Sequence, residues 1–272
     1  MKFTKLVGAG NDFVLIDNRV CRIAPQKRLS RLAKTMCERI FGAGADGLLV
    51  LDKSKKADCR MRIFNADGSE AEMCGNGARC FAYYVVSQKK SAAASQKLSL
   101  ETKAGIVKAE VRGDLVKVNL TPPHGLRLDM PLKVSGRAIR VNFINTGVPH
   151  TVIFVQGLDN IDADTLGSEI RYHKQFAPAG TNVNFVEPVS KDRIAIRTYE
   201  RGVEGETLAC GTGSTAAALI ASMKLPCEVS RISVQTRGGE VLAVYFRKTP
   251  AGFKDVWLEG RARLVYKGEY HV

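Results

Sequence analysis

Two cysteines in similar glycine-rich stretches are the residues of this chain best suited to chemistry. Cys74 opens the stretch CGNGAR, and Cys210 opens the stretch CGTGS. They are 136 residues apart, half of the 272-residue chain. A protein with one thiol in each of two similar halves can place two acid/base groups on opposite faces of one bound molecule. Inversion of a carbon stereocentre requires that arrangement.

The elements that must position these thiols are two apolar helices. The sequence predicts helices over 77–87 and 213–223, each directly after a cysteine and apolar almost all round. A helix start has backbone N–H groups without internal partners and the positive end of the helix dipole, so it binds anions and favours a thiolate. We expect four backbone N–H groups to hold a substrate carboxylate, those of Gly75, Asn76, Gly211 and Thr212.

Polar residues occur at equivalent points before each thiol. Asn65 precedes Cys74 by nine residues, and Glu200 precedes Cys210 by ten, with Arg201 next to it. The first could belong to a turn and the second to a surface ion pair. Because both follow a predicted strand at the same point of a repeated pattern, we expect ligand contacts.

Several blocks recur at an offset close to half the chain. The offset is 137 residues from Gly10 to Gly147, 135 from Arg62 to Arg197 and 134 from Thr102 to Thr236. Blocks in the same order at nearly one offset indicate an internal duplication.

The predicted elements give the fold class. Alternating segments predict strands at 60–64, 98–102, 105–111, 115–120, 193–199, 232–236 and 240–246, and an amphipathic pattern predicts a helix over 26–40. Many strands and one apolar helix per half predict an α+β protein with two pseudo-symmetric lobes. Each lobe is expected to be a mixed, largely antiparallel β-sheet around its helix.

Composition limits the other function classes. Seven cysteines, an odd number, make a poor disulfide framework and indicate a reducing compartment. No apolar run reaches the roughly 18 to 20 residues of a membrane span, and the first residues lack the apolar stretch of a signal peptide. We expect a cytoplasmic protein with no membrane partner.

The net charge of +14 raises the question of nucleic acid. The basic residues are dispersed, and aromatic residues are not interleaved with them. We therefore expect a solvated basic surface and no nucleic-acid partner.

The sequence contains no convincing motif for a dinucleotide cofactor or for a metal ion. The stretch GAGADG at 42–47 fits the dinucleotide pattern but follows a predicted helix and precedes a strand, the reverse of the required order. No Cys-x-x-Cys pair occurs, so we expect no zinc, and the five other cysteines are interpreted as packing residues, namely Cys21, Cys37, Cys59, Cys80 and Cys227.

Five stretches together resemble the diaminopimelate epimerase family. They are GAGNDF at 8–13, FNADGS at 64–69, CGNGARC at 74–80, YERG at 199–202 and ACGTG at 209–213. The resemblance spans nearly the whole chain and implies an isomerase that interconverts LL- and meso-diaminopimelate without a cofactor, for lysine and peptidoglycan synthesis. It also implies a homodimer and two lobes, 1–117 with 262–272 and 118–261, with the active site in the cleft between them.

The resemblance also implies roles for individual residues. Cys74 and Cys210 resemble the acid/base pair. Glu200 resembles the carboxylate that contacts the reacting amino group, and His150 resembles the polar neighbour of a thiol. The residues that resemble substrate-binding groups are Asn11, Asn65, Asn182 and Arg201.

One position departs from the family pattern. Many members have Gly-Asn-Pro-His where this chain has Val148 between Gly147 and Pro149. The chain thus lacks an amide often used on the distal end of the substrate, and we expect relaxed substrate selectivity. Two alternatives stay open, another cofactor-independent racemase of the same fold, such as a proline racemase type, and a thiol redox protein.

Overall fold

The computed structural model describes residues 1–23, 26–89, 95–225 and 228–271. The chain divides into two compact units. The first unit contains Met1–Asn119 and Gly260–Val272, and the second contains Leu120–Glu259. Cys227, one of the predicted packing cysteines, lies outside the described residues.

The described residues form five α-helices and eighteen strands. The helices are α1 (Asn18–Cys21), α2 (Gln26–Cys37), α3 (Gly75–Ser87), α4 (Ala163–Arg171) and α5 (Gly211–Lys224). The strands of the first half are β1 (Lys2–Gly8), β2 (Asn11–Asp17), β3 (Gly47–Asp52), β4 (Cys59–Asn65), β5 (Glu70–Ala71), β6 (Gln96–Thr102), β7 (Gly105–Arg112) and β8 (Leu115–Asn119). Those that follow are β9 (His124–Val134), β10 (Arg137–Asn145), β11 (Pro149–Phe154), β12 (Asn182–Ser190), β13 (Arg193–Glu200), β14 (Gly205–Thr207), β15 (Arg231–Gln235), β16 (Val241–Thr249), β17 (Gly252–Arg261) and β18 (Arg263–Glu269).

Strand pairing in the first unit is mixed but mostly antiparallel. β1 is antiparallel to β2 and β18. β2 is parallel to β3, which is antiparallel to β4. β4 is antiparallel to β5 and parallel to β6, and β6, β7 and β8 continue as an antiparallel series.

The second unit repeats the same order of pairings. β10 is antiparallel to β11, β11 is parallel to β12, and β12 is antiparallel to β13. β13 is antiparallel to β14 and parallel to β15, and β15, β16 and β17 are an antiparallel series. The helices occupy matching points, since α2 and α4 precede β3 and β12 while α3 and α5 follow β5 and β14. The predicted internal duplication is therefore confirmed, as is the α+β class.

The helix after each key cysteine is central to its unit. α3 contacts β1, β2, β3, β4, β6, β7, β8 and β18, and α5 contacts β10, β11, β12, β13, β15 and β16. A helix surrounded by sheet has no solvent face, which explains the nearly uniform apolar pattern of both segments. α2 has only one apolar stripe, through Leu29, Leu32 and Met36, because it covers its unit from one side.

The observed helix ends differ from the predicted ones. α3 and α5 begin at Gly75 and Gly211, two residues before the predicted starts, because the preceding cysteines are extended N-cap residues. α2 ends at Cys37 and not at Ile40. There the Glu38 carboxylate accepts hydrogen bonds from the backbone N–H groups of Ile40 and Phe41 and ends the helix.

No helix among the described residues has both the length and the apolar character needed to span a membrane.

Candidate active site

Both key cysteines are N-cap residues of buried helices. Cys74 has extended backbone angles of −141° and 123°, and Cys210 has −123° and 113°. The Gly77 N–H points at Sγ of Cys74 across 3.4 Å. Sγ of Cys210 lies 3.5 Å from the hydroxyl oxygen of Thr212. Each sulfur therefore lies at the first turn of its helix, where the positive end of the helix dipole favours the thiolate.

The third helical residue is a closely packed glycine in both units. A Cβ at Gly77 would lie 3.1 Å from Cδ1 of Ile63 and 3.3 Å from Cδ2 of Leu49. A Cβ at Gly213 would overlap the side-chain oxygen of Asn184 and lie 3.3 Å from Sγ of Cys210. Close packing of each helix start on its sheet thus explains the shared glycine.

In the first unit, the side chains of two predicted substrate-binding residues contact each other. The Asn76 amide donates to Oδ1 of Asn11 at 2.6 Å. Oδ1 of Asn76 accepts from Nη2 of Arg79 at 2.7 Å, and Arg79 is fully buried. The orientation of Asn11 is therefore set from the start of the same helix that Cys74 caps.

Asn11 is also held from its other end. Its amide nitrogen donates to Oδ2 of Asp46 at 2.9 Å, and the same oxygen accepts from the Asp12 N–H at 3.1 Å. Asp46 belongs to the stretch GAGADG, which lies between α2 and β3 as expected from its sequence context. In this protein the stretch supplies a carboxylate that fixes Asn11.

Asn65 is the last residue of β4, directly before the turn that leads to β5. It is exposed, and its amide donates to the hydroxyl of Ser69 at 3.0 Å. The hydroxyl of Ser69 in turn donates to Asp67 at 2.6 Å. Glu70, which begins β5, forms an ion pair with Nε of Arg62 at 2.7 Å.

In the second unit, three predicted site residues lie at the ends of adjacent strands. His150 pairs in register with Asn182 across β11 and β12, and Glu200 ends β13. Oδ1 of Asn182 accepts from the Arg201 N–H at 2.9 Å. The Thr207 hydroxyl donates to Oε2 of Glu200 at 3.1 Å. This end of the sheet, where β11 and β12 begin and β13 ends, therefore carries an imidazole, an amide and a carboxylate.

Arg201 is held at the same end of the sheet. Its Nη1 donates to the backbone oxygen of Ala179 at 3.0 Å. Burial, and to a smaller extent the positive charge of Arg201, lowers the pKa of His150 to about 3. His150 is therefore a neutral imidazole at physiological pH.

The start of α5 is attached to the same sheet. The Thr146 hydroxyl donates to the backbone oxygen of Thr212 at 3.0 Å. The Ser214 N–H donates to the backbone oxygen of Cys210 at 2.8 Å, which closes the first turn. Gly211 and Thr212 are the first two helical residues, and such residues have no intrahelical acceptor for their N–H groups.

Three of the remaining cysteines have environments that suppress thiol chemistry. Burial raises the pKa of Cys37 to about 12 and that of Cys59 to about 11. Burial also raises the pKa of Cys21. Cys80 is fully buried in α3, as a packing residue would be.

The sequence interpretation missed several site residues. Asp46, Arg79 and Asn184 contact predicted site residues but were not identified. Thr198, which was also not identified, contacts Asn184. The available signal was a polar residue at an inward-facing strand position, as in the stretch NVNF of β12, where the alternation predicts burial.

Comparison with known proteins identifies the family. The sequence profile of the family described as diaminopimelate epimerase matches residues 3–125 and 142–264. A diaminopimelate epimerase of Aquifex aeolicus is 44% identical over 280 residues, which cover 98% of this chain and 97% of that protein. One of Archaeoglobus fulgidus is 48% identical over 249 residues, covering 87% of this chain and 86% of that protein.

Solved structures of the same fold are more distant in sequence. A Bacillus anthracis phenazine biosynthesis protein of the PhzF family superposes with a TM-score of 0.77 at 17% identity, covering 100% of this chain and 99% of that one. A probable proline racemase from Agrobacterium radiobacter gives 0.72 at 15% identity, covering 100% and 93%. These two likenesses establish the fold alone. The profile match to both halves and the full-length relatives establish more: this chain belongs to the diaminopimelate epimerase family.

Proposed function

We propose that this chain is an isomerase that interconverts LL- and meso-diaminopimelate, with Cys74 and Cys210 as its acid/base pair. The observation that carries the proposal is that each cysteine is the N-cap residue of a buried helix at the equivalent point of a duplicated unit. Equivalent positions provide two chemically similar groups, as a reaction that runs in both directions requires.

The reaction needs one thiolate and one thiol. The thiolate removes the α proton from one face of the substrate and becomes a thiol. The other thiol donates its proton to the carbanion from the opposite face and becomes a thiolate, so that the configuration is inverted and the protonation states are exchanged. The reverse reaction uses the exchanged pair.

The carbanion is stabilised by fixed dipoles in this proposal. The N–H groups of Gly75, Asn76, Gly211 and Thr212 are at helix starts, where they bind the α carboxylate and the charge that develops on it. No cofactor is required for this chemistry. Glu200 contacts the reacting amino group, while Asn11, Asn65, Asn182 and Arg201 hold the polar groups of the substrate.

The decisive experiment follows α-hydrogen exchange. Purified protein is incubated with LL-diaminopimelate in ²H₂O with a chelator, and deuterium at the α carbon and conversion to the meso isomer are measured. We expect both for the wild type, and a loss of conversion of at least about 10³-fold for Cys74→Ser and for Cys210→Ser. Cys21→Ser is the matched control and should retain activity. Reversible thiol oxidation with no exchange would overturn the proposal in favour of a redox protein.

Relaxed substrate selectivity is the second part of the proposal. Val148 is partly buried, and its backbone oxygen accepts from the Thr146 N–H at 3.2 Å. A valine cannot supply the amide found at this position in many family members. We expect Val148→Asn to increase discrimination against amino acids without the distal groups by roughly tenfold, as for one hydrogen bond of about 1 to 3 kcal/mol. Turnover strictly confined to diaminopimelate in the wild type would count against it.

Lysine and peptidoglycan synthesis in the cytoplasm is the context that we propose for this activity. A homodimer is expected from the family resemblance. Light scattering on the purified protein tests it, and a monomer at micromolar concentration would contradict it.

A further inference from the structure

A buried polar cluster lies on the sheet of the second unit, next to the start of α5. It consists of His150, Asn184 and Thr198, with exposed fractions of 0%, 0% and 2%. Asn184 pairs in register with Val152 on β11 and with Thr198 on β13. Most buried polar groups are hydrogen-bonded, so the contacts within the cluster show which atom donates in each bond.

The orientation of the Asn184 amide is fixed by the backbone. Its side chain lies 3.0 Å from the carbonyl oxygen of Thr151, which can only accept, so the nearer atom must be the amide nitrogen. The side-chain oxygen faces the hydroxyl of Thr198 at 3.1 Å and accepts from it. The alternative, flipped amide would place two oxygens against each other at Thr151.

This orientation selects one form of His150. The same amide nitrogen of Asn184 lies 3.2 Å from Nδ1 of His150, so its second N–H points at that ring nitrogen. Nδ1 must then carry a lone pair, and the proton of the neutral ring must be on Nε2. An imidazolium would place a second N–H against the first, which is unfavourable.

Nε2 of His150 is buried and has no hydrogen-bond partner among the described residues. A buried N–H without an acceptor is unfavourable, because nothing replaces its lost hydrogen bond to water. His150 lies beside Asn182 and Arg201, at the end of the sheet where the predicted site residues meet. An N–H group at this end of the sheet can donate a hydrogen bond to an anion that takes part in the reaction.

The cluster is also in contact with the start of α5. The side-chain oxygen of Asn184 occupies the space that a Cβ on Gly213 would need, and that Cβ would be 3.3 Å from Sγ of Cys210. Asn184 therefore lies directly behind the first turn of the helix that Cys210 caps.

We propose that Asn184 is a positioning residue that holds His150 as a neutral imidazole with its proton on Nε2, so that His150 donates a hydrogen bond to an anion during the reaction and does not act as a base. The anion is either a thiolate or a substrate carboxylate. The tautomer assignment stands on the contacts alone, whereas the role in the reaction rests on the proposed function.

Nitrogen NMR of protein labelled with ¹⁵N-histidine tests the assignment. The chain has four histidines, and His150→Gln identifies the signals of His150. Near neutral pH, the wild type should show Nε2 as the protonated nitrogen and Nδ1 as the unprotonated one. A wild-type spectrum with the proton on Nδ1, or with both nitrogens protonated, overturns the proposal without any variant.

Asn184→Asp tests the cause. A carboxylate accepts from Nδ1–H, so His150 should change tautomer or become an imidazolium, and kcat should fall by roughly 10²-fold with a smaller change in KM. Asn142→Asp is the matched control, because Asn142 is also buried and donates to the sheet backbone at Val152. The control should leave the His150 signals unchanged. An unchanged tautomer in Asn184→Asp overturns the proposal.

The acceptor is identified by the Nε2 proton resonance. A downfield shift on adding diaminopimelate to the Cys74→Ser, Cys210→Ser double variant identifies a substrate carboxylate. A shift in the wild type but not in the double variant identifies a thiolate, and no shift in either contradicts the donor role. If the protein does not turn over diaminopimelate but has the expected tautomer, the proposed function fails while the assignment remains.

Discussion

The amide of Asn76 donates a 2.6 Å hydrogen bond to the side-chain oxygen of Asn11, which lies 65 residues earlier in the chain. Asn76 is almost fully buried and accepts from Arg79, and Asn11 is also tied to Asp46. The helix start that carries Cys74 and the strand that carries Asn11 are therefore parts of one hydrogen-bonded network.

Asn76→Ala should destabilise the first unit. It removes an acceptor of the buried Arg79 guanidinium and the donor to Asn11, so the free energy of unfolding should fall by about 1 to 3 kcal/mol. Urea unfolding measures this loss. Asn160→Ala, at an exposed position, is the control and should change stability by about 0.5 kcal/mol or less. Equal effects of both substitutions would show that the network contributes nothing to stability.

Gly213→Ala should impair activity more than a comparable glycine substitution. The new Cβ overlaps the oxygen of Asn184 and approaches Sγ of Cys210, so the Asn184 side chain or the start of α5 has to move. Displacement of a reacting group by about 1 Å can reduce the rate roughly 10²-fold, and we expect kcat to fall by that order. At Gly205 a Cβ would meet only Oδ1 of Asp164, at 3.9 Å, so Gly205→Ala is the control. Full activity of Gly213→Ala would contradict the tight packing found at this helix start.

His150 should make the stability depend on pH. Its pKa is lowered to about 3 in the folded protein, from 6.5 in the unfolded chain. The unfolded state therefore binds more protons between these values, and stability is lost as the pH falls from about 6.5 toward 3, by up to about 1.4 kcal/mol per pH unit. Urea unfolding across this range for the wild type and for His150→Gln isolates the effect, because all other groups are shared. If the free energy of unfolding changed with pH in the same way in both proteins, the predicted contribution of His150 would be contradicted.

The packing cysteines should resist alkylation. Cys37 and Cys59 are buried, and their pKa values of about 12 and about 11 leave almost no thiolate at mildly alkaline pH. Iodoacetamide followed by mass spectrometry should find modification of Cys74 well before either of them. Labelling in concentrated urea is the control and should modify all cysteines. Modification of Cys37 or Cys59 as fast as that of Cys74 in the folded protein would show that burial does not protect them.

Much of the fold could be predicted because its signals are local. The glycine-rich starts at Cys74 and Cys210, the apolar helices after them and the offset between repeated blocks are all visible in the one-dimensional pattern. The ends of elements were less well predicted. α3 and α5 include the two residues after each cysteine, since an extended cysteine can be the N-cap residue. α2 ends before Glu38, whose carboxylate accepts hydrogen bonds from the backbone that follows.

The sequence by itself determined the duplicated architecture, the two thiols and the family resemblance, because residue type and spacing carry that information. Only the tertiary structure decided which side chains hold the site residues in place. Asp46 and Asn11 are 35 residues apart, and Asn184 and His150 are 34 apart, so each contact depends on strands that pair only after folding. A hydrogen bond has a direction, and the direction that fixes the proton of His150 comes from a carbonyl oxygen on a neighbouring strand.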